Sequence, residues 1–463
     1  MNMGNRWARF ALGLAATLSL ASSVGAQNVQ NNNLGGGGAL PAGVLISPDG
    51  VLRIKQFDDK SGALSKTRAA EARAKLGAAL AKPSDLRKIS LNRLEAAMTE
   101  RLAAGMDPTD EMKYLAGLTR LQYVFYYPET KDIVIAGPAE GFVFDASARM
   151  VGLSSGRAVL ELQDLATALR AYPPAGKQTH EIMVSIDPTQ EGLKRMADWL
   201  ATIRPGPGDA QNIVNGLKEK LGLHNVSIAG VSPRSHFAQV MVEADYRMKL
   251  IGIGIESPPV RMVTYIGRAS PSEVSRNAME RWFFTPNYDC VRVSDDQLAM
   301  ELVGEGVKLV GANELVRADG SRVGAAGGNS ASKAFCDSFT ALYPQIAAKN
   351  PVYAQLRNLI DVAVAAAFIQ KQDYYGQAGW KAEVLLDEAK YPIETYETPK
   401  TVETACAAHW KGSRLMTPVG GGVQMNPTDA LQASHLLKDE DGKVNATHKQ
   451  VQLGLAKGQW WWD

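Results

Sequence analysis

The chain has 463 residues, a formal net charge of +2 and an apolar fraction of 45%, values that are ordinary for a globular protein. Removal of the first 26 residues takes away two arginines and no acidic residue, which leaves 48 basic residues against 48 acidic ones. Because basic and acidic residues balance, the chain does not belong to the class of strongly basic proteins that bind nucleic acid or anionic membranes. We therefore expect no nucleic acid among its partners. The length exceeds what one hydrophobic core usually serves, and two or three domains are therefore expected.

The first 26 residues have the three parts of a secretory signal peptide. Arg6 and Arg9 form a positive region, residues 10–20 form an apolar run, and Val24-Gly25-Ala26 provides a cleavage site of small residues. The apolar run is shorter than the roughly 20 residues that span a bilayer as a helix, so cleavage is expected rather than a retained anchor. We expect an exported protein, periplasmic or extracellular, that starts at Gln27 and has no transmembrane segment after cleavage.

The sequence predicts an α+β fold, multi-domain, with antiparallel sheets, packed helices and a late helical hairpin. Residues 27–42 are rich in Asn and Gly and predict a disordered spacer. We divide the remainder into an N-terminal α+β domain over 43–177, a central α+β domain with a β-meander over 178–323, and a C-terminal segment over 324–463. The last segment combines the helical hairpin with strands and loops.

The N-terminal segment predicts alternating hairpins and helices. Pro48-Asp49-Gly50 predicts the turn of a first hairpin. Ser90 predicts the N-cap of a helix that has leucines and methionines on one face. Further strands are predicted at 121–127, 132–136, 142–145 and 150–153, and further helices at 66–80 and 162–170.

The central segment predicts strands at 181–186, 225–230 and 237–244, helices at 187–203 and 210–221, and four meander strands between 281 and 310. In the C-terminal segment, a Gly-rich linker at 324–330 precedes predicted helices at 331–348 and 352–372. Residues 359–369 are apolar on nearly every face, which predicts a buried core helix.

One pentapeptide, Gly152-Leu153-Ser154-Ser155-Gly156, matches the G-x-S-x-G motif of hydrolases. In those enzymes the serine stands on a strained turn between a buried parallel strand and a helix. Here the preceding residues predict an antiparallel hairpin and the following ones an extended segment. We therefore predict that Ser154 is not catalytic, and the sequence identifies no catalytic residue.

Metal and cofactor motifs are missing from the sequence. The six histidines never stand four residues apart, and neither a C-x-x-C pair, a phosphate-binding loop nor a complete dinucleotide fingerprint occurs. We predict no metal site and no cofactor. Cys290, Cys336 and Cys406 fit either one disulfide with one buried thiol or three buried thiols.

The densest mixed-charge group gives the candidate binding residues, His236, Asp245, Tyr246, Arg247 and Lys249. On a strand, Asp245, Arg247 and Lys249 would share one face. On a helix, Asp245 and Lys249 would form an i, i+4 pair. The group fits either a solvated charged face or a surface that recognises a partner.

Three consecutive tryptophans, Trp460-Trp461-Trp462, have two interpretations. They could anchor a partner, because Trp is favoured in interface hot spots. They could also fold back onto the body of the same chain.

Three stretches carry a resemblance to a known family: SHFAQVMVEADYRMKLIGIGIE at 235–256, RWFFTPNYD at 281–289 and PVYAQLRNLIDVAVAAAFI at 351–369. In that order after a signal peptide, they resemble an uncharacterised domain-of-unknown-function family of exported proteins from planctomycete-type bacteria. The resemblance covers most of the mature chain. It implies a bacterial envelope or extracellular setting, but no activity, ligand or catalytic residue.

The sequence favours an exported, non-enzymatic protein that binds or assembles with an unknown envelope or extracellular protein. The alternative is an exported hydrolase whose site the sequence does not display. A deep pocket with converging ionisable side chains would favour the hydrolase. An exposed apolar patch would favour assembly.

Overall fold

The structure is a computed structural model, and it describes residues 41–47, 49–56, 59, 62–204, 206–270, 278–317, 321–324, 329–410, 414–451 and 453–463. The predicted signal peptide, most of the predicted spacer and most of the predicted linker at 324–330 lie outside the described residues. Helices hold 40% and strands 23% of the chain, which confirms the α+β class.

The strands are β1 (Pro41–Ile46), β2 (Val51–Gln56), β3 (Ser84–Ser90), β4 (Tyr123–Tyr127), β5 (Asp132–Ala139), β6 (Phe142–Phe144), β7 (Met150–Gly152), β8 (Ile182–Asp187), β9 (His224–Ala229), β10 (Ala278–Pro286), β11 (Val291–Val293), β12 (Ala299–Leu302), β13 (Val307–Val316), β14 (Arg322–Gly324), β15 (Thr401–Val402), β16 (Cys406–Trp410), β17 (Arg414–Met425), β18 (Leu437–Lys438) and β19 (Trp461–Trp462).

The α-helices are α1 (Ala63–Lys75), α2 (Ala78–Ala81), α3 (Leu91–Ala103), α4 (Asp110–Lys113), α5 (Leu162–Ala171), α6 (Gln190–Thr202), α7 (Ala210–Leu221), α8 (His236–Gly252), α9 (Tyr265–Arg268), α10 (Ser330–Ala341), α11 (Tyr343–Lys349), α12 (Pro351–Lys371), α13 (Tyr374–Ala378) and α14 (Lys443–Gln450). Short 3₁₀ turns lie at Leu115–Gly117, Pro207–Asp209 and Asp429–Leu431.

Two large sheets organise the described chain. The first has the order β1-β2-β15-β9-β8-β17-β10-β13-β14, with β16 beside β17, and the second has the order β18-β11-β12-β4-β5-β3-β19. Most pairs are antiparallel, whereas β2 with β15, β10 with β17 and β11 with β18 are parallel. Both sheets take strands from all three predicted segments, and the division of the chain into domains stays a prediction.

Several predicted elements are confirmed in place. The first hairpin is β1–β2, and the later ones are β4–β5 and β6–β7. Ser90 caps α3, because its hydroxyl accepts a hydrogen bond from the Arg93 N–H. The predicted helix at 66–80 divides into α1 and α2, and the one at 331–348 divides into α10 and α11.

The predicted meander between residues 281 and 310 is wrong in its pairing. Strand β10 pairs with β13 in the first sheet, whereas β11 and β12 pair with each other and join β4 in the second sheet. The β11–β12 hairpin therefore belongs to the second sheet, whereas the strands on either side of it in the sequence, β10 and β13, belong to the first. Short apolar runs predict that strands exist but do not specify which strands are neighbours.

The predicted strand at 237–244 is also wrong, because these residues belong to α8. The Ser235 hydroxyl accepts a hydrogen bond from the Ala238 N–H and caps the helix. Every residue from Phe237 to Gly252 is buried, so the apolar residues have no single face that could reveal the helical period.

Helix α12 forms the centre of the core, as the sequence predicts. All residues from Val352 to Ile369 are buried, and the helix packs against α5, α8, α11 and α13. Among the described residues it is the helix whose length and apolar composition would suffice to cross a membrane. Buried core helices of globular proteins have this length and apolar composition too, and α12 is buried.

The tryptophans at 460–462 fold back onto the body of the chain. Strand β19 pairs with β3, and the Arg87 guanidinium lies 4.6 Å from the centre of the Trp461 ring. Arg87 also donates to the Asp463 carboxylate at 2.8 Å. Of the two interpretations of this segment, the structure shows the intramolecular one.

The three cysteines are buried free thiols, the second of the two alternatives from the sequence. Burial raises the pKa of Cys290, Cys336 and Cys406 to about 12, so all three are protonated at neutral pH.

Candidate functional site

Helix α8 carries all five binding residues predicted from the sequence, and it lies in the interior. It packs on β8 and β17 of the first sheet and on α5 and α12. Asp245, Arg247 and Lys249 are at most 1% exposed. The expectation of a charged face in solvent is therefore wrong for these residues.

Lys249 and Asp245 form an ion pair within α8 that fastens the helix to the sheet. The Lys249 ammonium donates to Asp245 Oδ2 at 2.7 Å, to the Ile186 carbonyl at 3.2 Å and to the Gly421 carbonyl at 3.0 Å. These three bonds use all three ammonium hydrogens. Burial raises the pKa of Asp245 to about 6 and lowers that of Lys249. The pair joins α8 to both β8 and β17.

Gly421 lies where β17 passes closest to β10. Its φ is +118°, and a Cβ built on it would stand 1.9 Å from the Trp282 carbonyl oxygen. Any side chain at this position would force the two strands apart. The glycine therefore keeps its carbonyl within reach of Lys249.

Arg247 and Tyr246 are also bound within the protein. Arg247 Nη2 donates to Glu256 Oε1 at 2.6 Å, and Nη1 lies 3.7 Å from Glu243 Oε1. Burial raises the pKa of Glu256 to about 7, although Arg247 opposes the shift. The Tyr246 hydroxyl donates to the Glu403 carbonyl at 3.1 Å.

A chain of polar contacts runs from Glu243 toward the N-terminal end of α8. Glu243 accepts hydrogen bonds from Arg149 and from the Gly43 N–H of β1. Arg149 Nε donates to Gln355 Oε1 at 2.9 Å, and Gln355 Nε2 lies 3.4 Å from His236 Nε2. This series of polar contacts thus ends at His236, the first residue of α8.

His236 meets two carboxylates at the start of α5. Its Nδ1 lies 2.9 Å from Asp164 Oδ2, and its Nε2 lies 3.7 Å from Glu161 Oε1. Glu161 is the N-cap residue of α5 and Asp164 is in its first turn, where the helix dipole favours negative charge. The His236 and Glu161 side chains are each 12% exposed, so this cluster reaches the surface.

A small pocket opens beside this cluster, and we call it the acidic pocket. Its empty space, which includes open solvent, is about 230 Å³, and its enclosed part has room for about one water-sized group. The residues that line it are Val159, Leu160, Glu161, Asp164, Gln355, Asn358 and Val362. The polar groups therefore come from the start of α5 and from two positions three residues apart on α12.

Asn358 has an unused acceptor in the acidic pocket. Its Nδ2 donates to the Ala158 carbonyl at 3.4 Å. Its Oδ1 is buried and has no hydrogen-bond partner among the described residues, and the whole residue is only 5% exposed. A buried amide oxygen without a partner is costly, which makes a bound donor favourable here.

The protonation states of the cluster follow from its geometry. Burial lowers the pKa of His236, but the charges of Asp164 and Glu161 outweigh it, so the pKa lies well above its usual value. Burial raises the pKa of Glu161, and His236 opposes the shift. At neutral pH His236 is therefore a cation, and it is paired with Asp164.

Sequence reasoning found His236 but missed Glu161, Asp164, Gln355 and Asn358. The first two are distant in the sequence and reach His236 only through the packing of α5 against α8. The other two gave a signal that could have been used, because they are polar residues inside an otherwise apolar core helix.

Ser154 lies in the turn that follows β7, outside the pocket-lining set. The Ser154 and Ser155 N–H groups donate to the Glu140 carboxylate at 2.7 Å and 3.1 Å. Strand β7 is antiparallel to β6, and α5 begins only at Leu162. The hairpin context predicted for this motif is confirmed, and the absence of catalysis at Ser154 stays a prediction.

A search for a metal centre gives no candidate within the described ranges. No group of three or more His, Cys, Asp or Glu side chains there could hold a metal ion. His236, Glu161 and Asp164 are thus arranged as an ion-pair cluster.

Comparison with protein families gives one match. The family model of DUF1598, described as a protein of unknown function, matches residues 184–265. These residues run from β8 to the start of α9 and include all of α8, whereas Glu161, Asp164, Gln355 and Asn358 lie outside the match. Neither the curated proteins nor the solved structures contain a match to the chain. Residues 184–265 are therefore similar to the DUF1598 family.

Proposed function

We propose that the protein is an exported, non-enzymatic binding protein of the bacterial envelope or extracellular space, and that it binds through the acidic pocket. The observation that carries the proposal is the unused Asn358 oxygen in a pocket that Glu161 and Asp164 also line, where the Glu161 side chain is 12% exposed. Elsewhere on α8 the charged groups are buried and bonded within the protein, so they offer nothing to a partner.

The composition of the acidic pocket favours binding over catalysis. Its lining residues include no serine, threonine or cysteine that could act as a nucleophile. His236 is held as a cation by Asp164, and a protonated imidazole cannot accept a proton as a general base. The lining carboxylates, Glu161 and Asp164, have no hydroxyl or thiol beside them in the pocket, and such a set of acceptors is suited to holding a donor.

The alternative, an exported hydrolase, has one feature in its favour. Asp164 contacts His236 Nδ1, as the aspartate does in hydrolytic triads. The hydrolase would need a nucleophile that reaches His236 Nε2, which faces Gln355 and Glu161. Ester or amide turnover that disappears in His236→Gln would favour this alternative.

Assembly through an apolar surface has less support. The large apolar side chains that are exposed belong to separate elements of the described chain: Leu45, Leu64, Met106, Phe144, Leu223, Val263 and Val310. Single exposed apolar residues are normal on protein surfaces.

Binding is tested by co-sedimentation of the purified protein with the envelope fraction of the bacterium that produces it. We expect the wild type in the pellet and Glu161→Gln in the supernatant. Glu100→Gln makes the same chemical change at an exposed position of α3 and should behave as the wild type. Equal sedimentation of Glu161→Gln and the wild type would contradict the proposal.

Export is tested separately, by sequencing the N-terminus of protein recovered outside the cytoplasm. We expect Gln27 as the first residue. Recovery of exported protein that still carries residues 1–26 would contradict the predicted cleavage.

A further inference from the structure

We infer that the acidic pocket binds the terminal primary ammonium group of a larger molecule, with three acceptors that surround one cationic head. The inference rests on the proposed binding function and names the chemical class of its ligand. It depends on charge, on the number of acceptors and on size.

The acidic pocket has two carboxyl groups and one cation in contact with them. His236 lies 3.7 Å from Glu161 and 2.9 Å from Asp164, and Arg149, which is paired with Glu243, acts on Glu161 from farther away. A second cation bound beside Glu161 would favour its ionised form.

The acceptors match the hydrogens of a primary ammonium. Asn358 Oδ1 has no partner within the described part of the chain, and Glu161 Oε1 has only the long contact to His236. Asp164 also lines the acidic pocket, with its two carboxylate oxygens 3.0 Å and 2.9 Å from His236 Nδ1. An R–NH₃⁺ group has three donors and no acceptor, so it can donate to an oxygen of each of these three residues. A quaternary ammonium has no N–H and would leave Asn358 unsatisfied.

The size of the acidic pocket limits what enters it. The space of about 230 Å³ includes open solvent, and the enclosed part admits a group of about the size of one water molecule, such as an ammonium head, and excludes a bulky one. The remainder of the ligand must stay at the opening. An amine on an alkyl stem has this shape.

Two tyrosines lie near the His236–Glu161 pair. The Tyr396 ring centre lies 5.7 Å from that of His236. Burial raises the pKa of Tyr114, and the charge of Glu161 raises it further, so the phenol lies near that carboxylate. Aromatic faces attract cations and also cover an alkyl stem.

The test is calorimetric titration of the full exported protein with n-butylammonium chloride, and with tetramethylammonium chloride at the same ionic strength. We expect saturable binding of butylammonium alone. Glu161→Gln should weaken it by roughly tenfold or more, because a charge-assisted hydrogen bond is lost. Glu100→Gln should bind as the wild type does.

Absence of saturable butylammonium binding, or equal binding of tetramethylammonium, would overturn the inference without any variant. Equal affinity of Glu161→Gln and the wild type would overturn it as well. If butylammonium fails to bind while Glu161→Gln still prevents co-sedimentation with the envelope, the ligand class is wrong and the proposed binding function stands.

Discussion

The C-terminal half of helix α8 and its N-terminal end both carry charged side chains, but the surroundings of those charges differ. Lys249 in the C-terminal half is fully buried, and all three of its hydrogens are bonded within the protein. His236 at the N-terminal end is 12% exposed and contacts residues of the acidic pocket, in which Asn358 Oδ1 lacks a partner among the described residues. The same helix therefore has a closed charged region and an open one.

This difference separates charges that hold the fold from charges that can serve a ligand. A fully buried pair is out of reach of a ligand, even though Asp245 Oδ1 also lacks a hydrogen-bond partner among the described residues, and its loss leaves an uncompensated charge in the interior. An open cluster with an unused acceptor is stabilised by a bound partner. Neutralising one of its members lowers the unfolding free energy by less than breaking a buried pair does. The predictions below test each side of this distinction, from the largest expected effect to the smallest.

Lys249→Ala should have the largest effect on stability. It leaves Asp245 without its cation, which costs about 3–5 kcal/mol of unfolding free energy when a buried pair is broken. The matched control is Lys194→Ala, which breaks an i, i+4 pair with Asp198 whose side chains are 57% and 61% exposed. That change should cost less than about 1 kcal/mol. Urea unfolding measures both, and similar losses would contradict the assignment of Lys249 to the fold.

Glu256→Gln should have the second-largest effect, and this effect is on the pH dependence of the unfolding free energy. Burial raises the pKa of Glu256 from 4.5 to about 7, so the folded state holds this proton more tightly than the unfolded state. Its contribution to stability is present below pH 4.5 and is lost as the pH rises through about 7. Glu256→Gln should remove about 2–3 kcal/mol of the fall in unfolding free energy between pH 5 and pH 8. An unchanged pH profile in this variant would show that Glu256 titrates normally.

His236→Gln should have an intermediate effect that depends on pH in a defined direction. The pKa of His236 is raised in the folded state, so its stabilising charge is present below its usual value of 6.5 and is lost as the pH rises through the folded value. We expect a loss of about 1–2 kcal/mol at pH 6, from the broken contact to Asp164, and a smaller loss at higher pH. Chemical denaturation at pH 6 and pH 9.5 measures the difference. A loss that grows with pH would contradict a cationic His236.

Glu161→Gln should have the smallest effect on stability. Burial raises the pKa of Glu161, so its ionised form gains little from the site, and we expect a change of less than about 1 kcal/mol at pH 7. The amide oxygen can keep the hydrogen bond that Glu161 Oε2 accepts from Gln163 Nε2. A loss comparable to that of Lys249→Ala, in the same urea series, would place Glu161 among the residues that hold the fold.

The fold is predictable from the sequence where local signals determine it. The Ser90 cap, the hairpin turns and the apolar residues of α12 each depend on neighbours within a few positions, and the structure has the corresponding elements. Pairing between distant strands is different. No local pattern indicates that β10 would lie beside β17, or that β11 and β12 would join the second sheet.

The site is less predictable, for a related reason. His236 and Lys249 belong to one charged stretch of sequence, yet one reaches the surface and the other is completely buried. Their environments are built by α5, α12, β8 and β17, which lie far away along the chain. Alternating apolar and polar residues in α8 resemble a strand, because burial on all sides removes the helical period.

The central claim is that the N-terminal end of α8 serves a ligand while the C-terminal half serves the fold. It is tested most directly by the melting temperatures of the wild type, Glu161→Gln and Lys249→Ala with and without n-butylammonium chloride, against sodium chloride at equal ionic strength. We predict that Glu161→Gln melts as the wild type does without the amine and loses the amine-dependent rise, because a ligand stabilises only the state that binds it. Lys249→Ala should melt at a lower temperature and keep the rise. Loss of the rise in Lys249→Ala together with its full retention in Glu161→Gln would contradict the account.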